Sequence, residues 1–557
     1  MLAEPAGAAL RRRGSSGLVG VASIRSTVRR GSPACRSLRR AANQWVWRNG
    51  LFLAVLGAGV AGRVLVEIAF PYPFVQPDSH RYLKSAILLE PDVKRTSGYS
   101  LALRLIPGWR ELWPIPIVQH VLGLSVGIAI YVVLVRLRVP RWAAALASAP
   151  VLLDPFQVAI EHYILSDSLF LALLVGGLAV MSMRRRASLR RAALAGILLG
   201  CAALVRSAGD LVIVVAAIVL LIGQARWRPA FVLVLAVAIP LSAYMLWFHS
   251  HYGSFSTNRF PENGLYQRVV NFADCRQAKL LTYERPLCPR VPKERLKGAY
   301  YYAHSRQAPW RSVEVPPGKD RWDVLHAFNR RVIRQQPLRY AKNVVTDALR
   351  LFAVRRHSDA YGTGQIDNWQ FALGGQYHRT SKIPGMPRRS GLRINEALAS
   401  RLGLWSRLYV PGPILAVCLT LGLAAAAGLG RARRSGLRAT SALFGVSSVA
   451  LLITSNAVSA FSWRYQLPQF ALLPAVGAIG AVALVRTKSA PDVLTVRETF
   501  RRLLSPFDRL LRLPFRRGIR RPPPDRAGVR SGETSIRSEH VDVSREPASG
   551  YERQGDT

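Results

Sequence analysis

Asp78, in QPDSHRYL, follows the first long apolar run by a few residues. A carboxylate in that place can serve as general base on a hydroxyl nucleophile. The same Pro-Asp-Ser run also suits a helix start with Asp78 as its cap, and both readings stay open. A second group crowns a later loop, DPFQVAIEHYILSD, which carries three acids and no Lys or Arg. Its Glu161, His162 and Asp167, with Asp78 and His80, are expected to line one acidic or substrate pocket, with or without a divalent cation, and Tyr465 is expected to border it. No spacing among them is diagnostic of a metal site, so the metal is unassigned. Arg206, in ALVRSAGD, and Arg464, beside Tyr465 in FSWRYQLPQF, are the cationic counterpart. Guanidinium groups grip phosphate bidentately. The alternatives are anchoring to lipid headgroups or, for Arg206, a local pair with Asp210.

These parts fit one reaction. Arg residues hold the phosphate of a lipid-phosphate sugar and stabilise the charge that grows on it as the sugar leaves. Phosphate is a good leaving group, so no acid is required. The base deprotonates an acceptor hydroxyl, which attacks the anomeric carbon from the opposite face and inverts it. Positioning and electrostatic stabilisation do most of the work. There is no Walker A loop, GxSxG, HExxH or dinucleotide fingerprint, which argues against nucleotide hydrolysis as the power source.

The elements that must position these groups are membrane helices. Half of the 557 residues are hydrophobic and 19% are charged, below the roughly 25% usual in soluble domains. A helix needs about 20 apolar residues to cross a bilayer core. Ten segments are candidates: 51–70, 112–135, 142–153 with its continuation, 164–183, 192–205, 211–223, 231–248, 410–429, 439–460 and 467–485. Four short loops carry Arg136, Arg138 and Arg141; Arg184, Arg185, Arg186, Arg190 and Arg191; Arg226 and Arg228; and Arg431, Arg433, Arg434 and Arg438, with no acid among them. The positive-inside rule puts all four in the cytoplasm, and ten spans then close with both termini cytoplasmic and the site residues outside. The net charge of +46, from 68 Arg and nine Lys against 31 acids, is thus mostly a topology signal, with basic tails that rest on anionic lipid. No recognition motif interleaves aromatics with the Arg clusters, so nucleic acid is not expected as a partner.

The expected organisation is mainly α and polytopic, with one extracytoplasmic domain between the seventh and eighth spans. Residues 1–48 read as a disordered basic tail, 49–249 as a transmembrane core of seven spans with the outer loops of the site, 250–406 as the outer domain, 407–486 as three more spans, and 487–557 as a cytoplasmic tail. Within the last, 491–515 alternates Leu and Phe with Arg as an interfacial amphipathic helix would. In the outer domain, Cys275 and Cys288 have twelve residues between them and are expected to pair, as an oxidising compartment permits; five Cys in all exclude a disulfide-stapled scaffold. Residues 322–354 read as two amphipathic helices broken near Pro337 that pack on the outer rim of the membrane core. The segment 362–391, rich in Gly, Tyr, Trp, Gln and His, suits sugar rings or an ordinary loop.

In order along the chain, QPDSHRYL with RTSGYSLALRLI, then VQHVLGLSVGIAIYVVLVRLRVPRWAAALASAPVLLDPFQVAIEHYILSDSLFLALL, ILLGCAALVRSAGDLVIVV and WRYQLPQFALLPAVGAIG resemble the GT-C superfamily of polytopic glycosyltransferases that use polyprenyl-phosphate sugars. The branch it looks like is the bacterial dolichyl-phosphate-mannose-mannosyltransferase-like group, in an actinobacterial form. The resemblance covers roughly residues 51–248 and the last three spans. It implies a catalytic acid in the first outer loop, matched by Asp78; Ser79 and His80 stand where many members carry a second acid. It implies second-loop acids at Glu161 and Asp167, and an Arg before the last span, matched by Arg464. The implied activity is hexosyl or pentosyl transfer at the plasma membrane, from a polyprenyl-phosphate donor such as decaprenyl phosphate to a glycan or glycolipid acceptor of the envelope. Two other classes compete: a lipid or polysaccharide transporter, and a non-catalytic assembly factor. A transporter often shows repeated halves and midplane charges; here the acids and Arg gather toward one face.

Overall fold

The computed structural model describes residues 33–183, 187–223, 227–258, 262–289, 291, 295–356, 369, 371 and 393–486. The amphipathic segment 491–515 and most of 362–391 lie outside the described residues. The architecture is helical, and the one extended pairing among the described residues is a parallel bridge between Phe74 and Tyr163. In order, the first half has α1 (Pro33–Ala69), α2 (Pro77–Leu88), α3 (Gly98–Leu103), α4 (Pro114–Arg136), α5 (Arg141–Leu153), α6 (Pro155–His162), α7 (Asp167–Ser182), α8 (Leu189–Val205), α9 (Asp210–Ile218) and α10 (Trp227–Tyr252). The second half has α11 (Glu262–Phe272), α12 (Ala299–His304), α13 (Arg321–Gln335), α14 (Pro337–Leu349), α15 (Glu396–Trp405), α16 (Gly412–Ala427), α17 (Ala432–Ser435), α18 (Arg438–Val458) and α19 (Leu467–Val485).

Each of the ten expected segments is helical. By length and composition, five helices can cross a membrane: 43–69 of α1, α4, α10, α18, and 463–485 around α19; the bent pair α5–α6 makes a sixth. Shorter apolar helices cover 167–182, 207–222 and 412–427. The outer flank of α10 carries Phe231, Leu235, Ile239 and Leu246, each at least 55% exposed; such a stripe is at home against lipid rather than water. On its other side α10 packs closely on α8. A Cβ added to Gly196 would lie 2.4 Å from the Leu233 carbonyl, and one on Gly200 2.8 Å from Pro240. Small residues four apart let the two backbones approach, as in helix pairs that meet in membranes.

Two departures from the sequence reading have local causes. Residues 33–48, expected as tail, belong to α1. Their Ala, Arg, Leu and Gln are good helix formers, and an apolar helix downstream extends into such a stretch without a new nucleation step. The third span breaks at Asp154, with 44° between α5 and α6. Asp154 caps α6 by accepting the Phe156 N–H at 2.9 Å, and Pro155 occupies the first helical turn, where its missing N–H costs nothing.

Residues 266–332 make a second apolar core, with Tyr266, Val269 and Val270 of α11 packed on Val324, Leu325, Phe328 and Val332 of α13. Cys275 and Cys288 are disulfide-bonded at its edge. The two amphipathic helices expected over 322–354 are α13 and α14, parted at Pro337. This core rests on the end of α18: Arg268 Nε donates to the Ser459 carbonyl at 2.9 Å, and the Tyr340 hydroxyl donates to the Ala457 carbonyl at 3.1 Å.

Candidate active site

The ends of several helices meet in a ladder of alternating charge. Asp78 enters on α2, which begins at Pro77. The Ser79 hydroxyl accepts the Gln76 N–H at 3.0 Å, and the Asp78 carboxylate is held by guanidinium groups rather than by a capping bond. Its Oδ1 accepts Arg95 Nη2 at 2.7 Å, and its Oδ2 accepts Arg464 Nη1 at 2.8 Å. Arg464 turns its other edge to Asp167: Nε and Nη2 donate to Oδ2 at 2.9 and 2.8 Å. Arg206 Nη1 donates to the second oxygen of Asp167. The order is Arg95, Asp78, Arg464, Asp167, Arg206, three cations against two anions.

Burial grades this ladder. The Arg464 and Asp167 side chains are 4% and 3% exposed; Asp78 and Arg206 are near a fifth; Arg95 is 32%. Its centre is buried and its ends open outward. Aromatic rings flank the cations, Tyr465 5.4 Å from Arg206, Trp369 5.3 Å from Arg464 and Tyr82 5.9 Å from Arg95; such rings add cation–π attraction and exclude water. Burial pushes the Asp78 carboxyl up, but the Arg95 and Arg464 charges outweigh it and hold the group well below the usual carboxylate range. Asp78 is therefore ionised at any working pH. His304, on α12, feels the Asp78 charge yet is pushed down to about 4 by burial, with Arg95, Lys94 and Arg311 adding to the effect, so it is neutral near pH 7.

Glu161 and His162 belong to a different cluster. Glu161 is fully buried at the end of α6 and pairs with Arg63 of α1, Nε to Oε2 and Nη2 to Oε1, both at 2.8 Å. It also accepts from His120 Nδ1 at 2.9 Å and Gln157 Nε2 at 2.9 Å. Gly123 makes room for it, because a Cβ there would stand 1.8 Å from Oε1. His162 faces His120 and Glu67.

Of the residues expected to share one pocket, Asp78 and Asp167 do meet, through Arg464, with Arg206 and Tyr465 beside them. Glu161 and His162 form the second cluster, and the ladder carries more positive than negative groups. His80, two residues on from Asp78, is half-buried and on a different side of α2. Asp210 is exposed, and Arg206 takes Asp167 instead. Sequence reasoning missed Arg95, Arg63, Glu67 and His120. The signal for Arg95 was an Arg set apart from the Arg-rich loops, the same one that singled out Arg206. For Arg63 and Glu67 it was a charge inside an apolar run, costly enough to demand a partner.

Residues 110–256 match the family model of dolichyl-phosphate-mannose-protein mannosyltransferases. Asp167, Arg206 and the Glu161 cluster's His120 fall inside the match; Asp78, Arg95 and Arg464 fall outside it. No curated protein matches the chain. Two solved structures are similar, both of ArnT from Cupriavidus metallidurans. The apo form is 14% identical with a TM-score of 0.31, covering 80% of this chain and 78% of that one. The form bound to undecaprenyl phosphate is 14% identical with a TM-score of 0.31, covering 78% of each. Likeness at that level assigns no residue roles. The chain is thus a mainly helical, multi-pass membrane protein whose residues 110–256 match the model of the dolichyl-phosphate-mannose-protein mannosyltransferases.

Proposed function

We propose that the protein is a membrane glycosyltransferase that moves a sugar from a polyprenyl-phosphate donor to a hydroxyl of an envelope glycan or glycolipid, on the extracytoplasmic side and with inversion. The observation that carries this is the ladder Arg95–Asp78–Arg464–Asp167–Arg206. It combines an ionised carboxylate with a surplus cation at one end of a helix bundle. The family match over 110–256 supports transfer from a polyprenyl-phosphate-linked donor, and the Arg-rich loops at the opposite helix ends support the sidedness.

Arg464 spends its donors on Asp78 and Asp167, so it sets the two carboxylates and lends charge. Arg206 and Arg95, at the open ends, are better placed to grip the donor phosphate. In the free protein Arg95 covers Asp78. As phosphate draws Arg95 away, Asp78 loses a stabilising charge and becomes a stronger base toward the acceptor hydroxyl. The hydroxyl oxygen then forms the new bond to the anomeric carbon as the bond to phosphate oxygen breaks. The proton passes to Asp78 and the electron pair leaves on the polyprenyl phosphate.

Native mass spectrometry of the full chain in mild detergent, with added undecaprenyl phosphate and a zwitterionic phospholipid as competitor, tests donor binding. Selective retention of the polyprenyl phosphate by wild type, weakened about tenfold or more in Arg206→Ala as expected for a lost charge-assisted contact, supports the reading. Equal retention of both lipids by both proteins would turn it toward transport or scaffolding.

A further inference from the structure

The Glu67–His120–His162 cluster lies apart from the ladder and plays no part in the reaction above. Its protons can be placed from its partners. His162 Nε2 lies 3.0 Å from the Tyr72 carbonyl, which can only accept, so Nε2 carries the hydrogen and Nδ1 presents a lone pair. His120 Nδ1 lies 2.9 Å from Glu161 Oε2, a carboxylate already ionised by its bidentate pair with Arg63, so here Nδ1 carries the hydrogen and Nε2 the lone pair. Those two lone pairs face each other at 3.5 Å. Glu67 Oε1 joins them, 3.5 Å from His120 Nε2 and 3.9 Å from His162 Nδ1, and that oxygen is buried without a hydrogen-bond donor. Three such atoms converge here, and a cation at their centre would satisfy all three at once.

We propose that Glu67, His120 and His162 bind a divalent transition metal of the zinc type. The three separations form a triangle of 3.5, 3.5 and 3.9 Å. The point equidistant from its corners is about 2.1 Å from each, the length of zinc–nitrogen and zinc–oxygen bonds. Two imidazoles and one carboxylate are a borderline-soft donor set that suits zinc over magnesium or calcium. The outer shell is in place as well. Glu161 and the Tyr72 carbonyl each hold the far nitrogen of a ligating ring, the arrangement that fixes tautomer and orientation in metal sites. The Phe74 ring packs edge-on at 4.8 Å from the His162 ring and keeps water from one side.

The ligands come from the last turns of α1 and α6 and from the second turn of α4, and Tyr72 lies in the segment that leads to Asp78. A metal here ties three spans together at the root of that segment. Its role is to fix the frame of the ladder, eleven residues upstream of Asp78 on the chain, rather than to touch substrate.

The test is metal analysis of the full chain, purified without a histidine tag, equilibrated with zinc and then passed through a desalting column. About one zinc per chain is expected in wild type, with Co2+ in its place giving visible absorption stronger than that of aqueous Co2+. Glu67→Gln and His162→Gln should each reduce bound metal to background, and Glu161→Gln should weaken retention by about 10–100-fold as an outer-shell change does. Wild type that holds neither zinc nor cobalt would overturn the proposal and leave the cluster as a histidine pair sharing a proton. If a ligand variant fails to fold, the cobalt spectrum of wild type still decides between the two.

Discussion

Arg464 binds Asp78 at 2.8 Å across 386 residues of chain, so the start of the last span closes the site that the segment after α1 opens. Its guanidinium also holds Asp167 through two nitrogens, and no other side chain reaches both acids among the described residues. A lysine keeps the charge but cannot bridge two carboxylates in fixed geometry. Arg464→Lys should therefore fold and insert yet lose most transfer. Arg464→Ala, which leaves a buried Asp167 short of its main partner, should lose about 3–5 kcal/mol of stability. Thermal unfolding in detergent together with a transfer assay separates the two variants; equal activity in Arg464→Lys and wild type would contradict this role.

The pH dependence follows from Arg95. In the free protein Asp78 is held well below the usual carboxylate range. Its folded value is depressed, so its contribution to stability is present above the unfolded value of about 3.9 and is lost only as the pH falls below that, toward the folded value. If donor phosphate draws Arg95 off, Asp78 titrates higher in the complex. The acid limb of kcat should then lie at higher pH than that of kcat/KM, since the two report bound and free enzyme respectively. Arg95→Gln should move the kcat/KM limb upward. Limbs that coincide in wild type would mean that Arg95 stays on Asp78 throughout.

Much of this fold was legible because a bilayer punishes ambiguity. Each apolar run became a helix, and Arg clusters such as Arg136–Arg141 marked one side. Asp78, Asp167, Arg206 and Arg464 stood out for the same reason, as charges at span ends where they must be justified. What a single sequence does not carry is partner choice across long separations. Nothing local says that Arg464 takes Asp167 or that Arg206 ignores the nearby Asp210. Glu161 and His162 were grouped with Asp78 because they share a loop face with Asp167. In the structure the break at Asp154 turns α6 so that these two face Arg63 and His120 instead. Arg63 and Glu67 escaped notice because their neighbours in α1 average out as apolar.

Gly123 tests the Arg63–Glu161 pair without touching either charge. A methyl group there collides with Glu161 Oε1. Gly123→Ala should cost about 1–3 kcal/mol as overpacking does, seen as a lower unfolding temperature, while Gly176→Ala, whose Cβ would meet only Leu198 at 3.7 Å, should be near neutral. Equal stability of the two variants would mean that the space around Glu161 is looser than the structure shows.

The Cys275–Cys288 bond closes a loop of sequence separation 13 at the edge of the second apolar core. Replacing both residues by Ser should destabilise that core by about 2–4 kcal/mol. Hydrogen exchange should rise over α11 and α13 and stay unchanged in α4 and α7. A uniform rise across all four helices would show that the second core does not unfold on its own.

The most direct test of the central claim is transfer itself. Full-length protein in lipid nanodiscs, given a panel of polyprenyl-phosphate sugars and an envelope glycolipid extract, should release polyprenyl phosphate and yield a product of inverted anomeric configuration. Asp78→Asn, folded and still binding undecaprenyl phosphate, should lower that rate by at least about 100-fold, the scale of general-base catalysis. Undiminished transfer by Asp78→Asn would contradict the account.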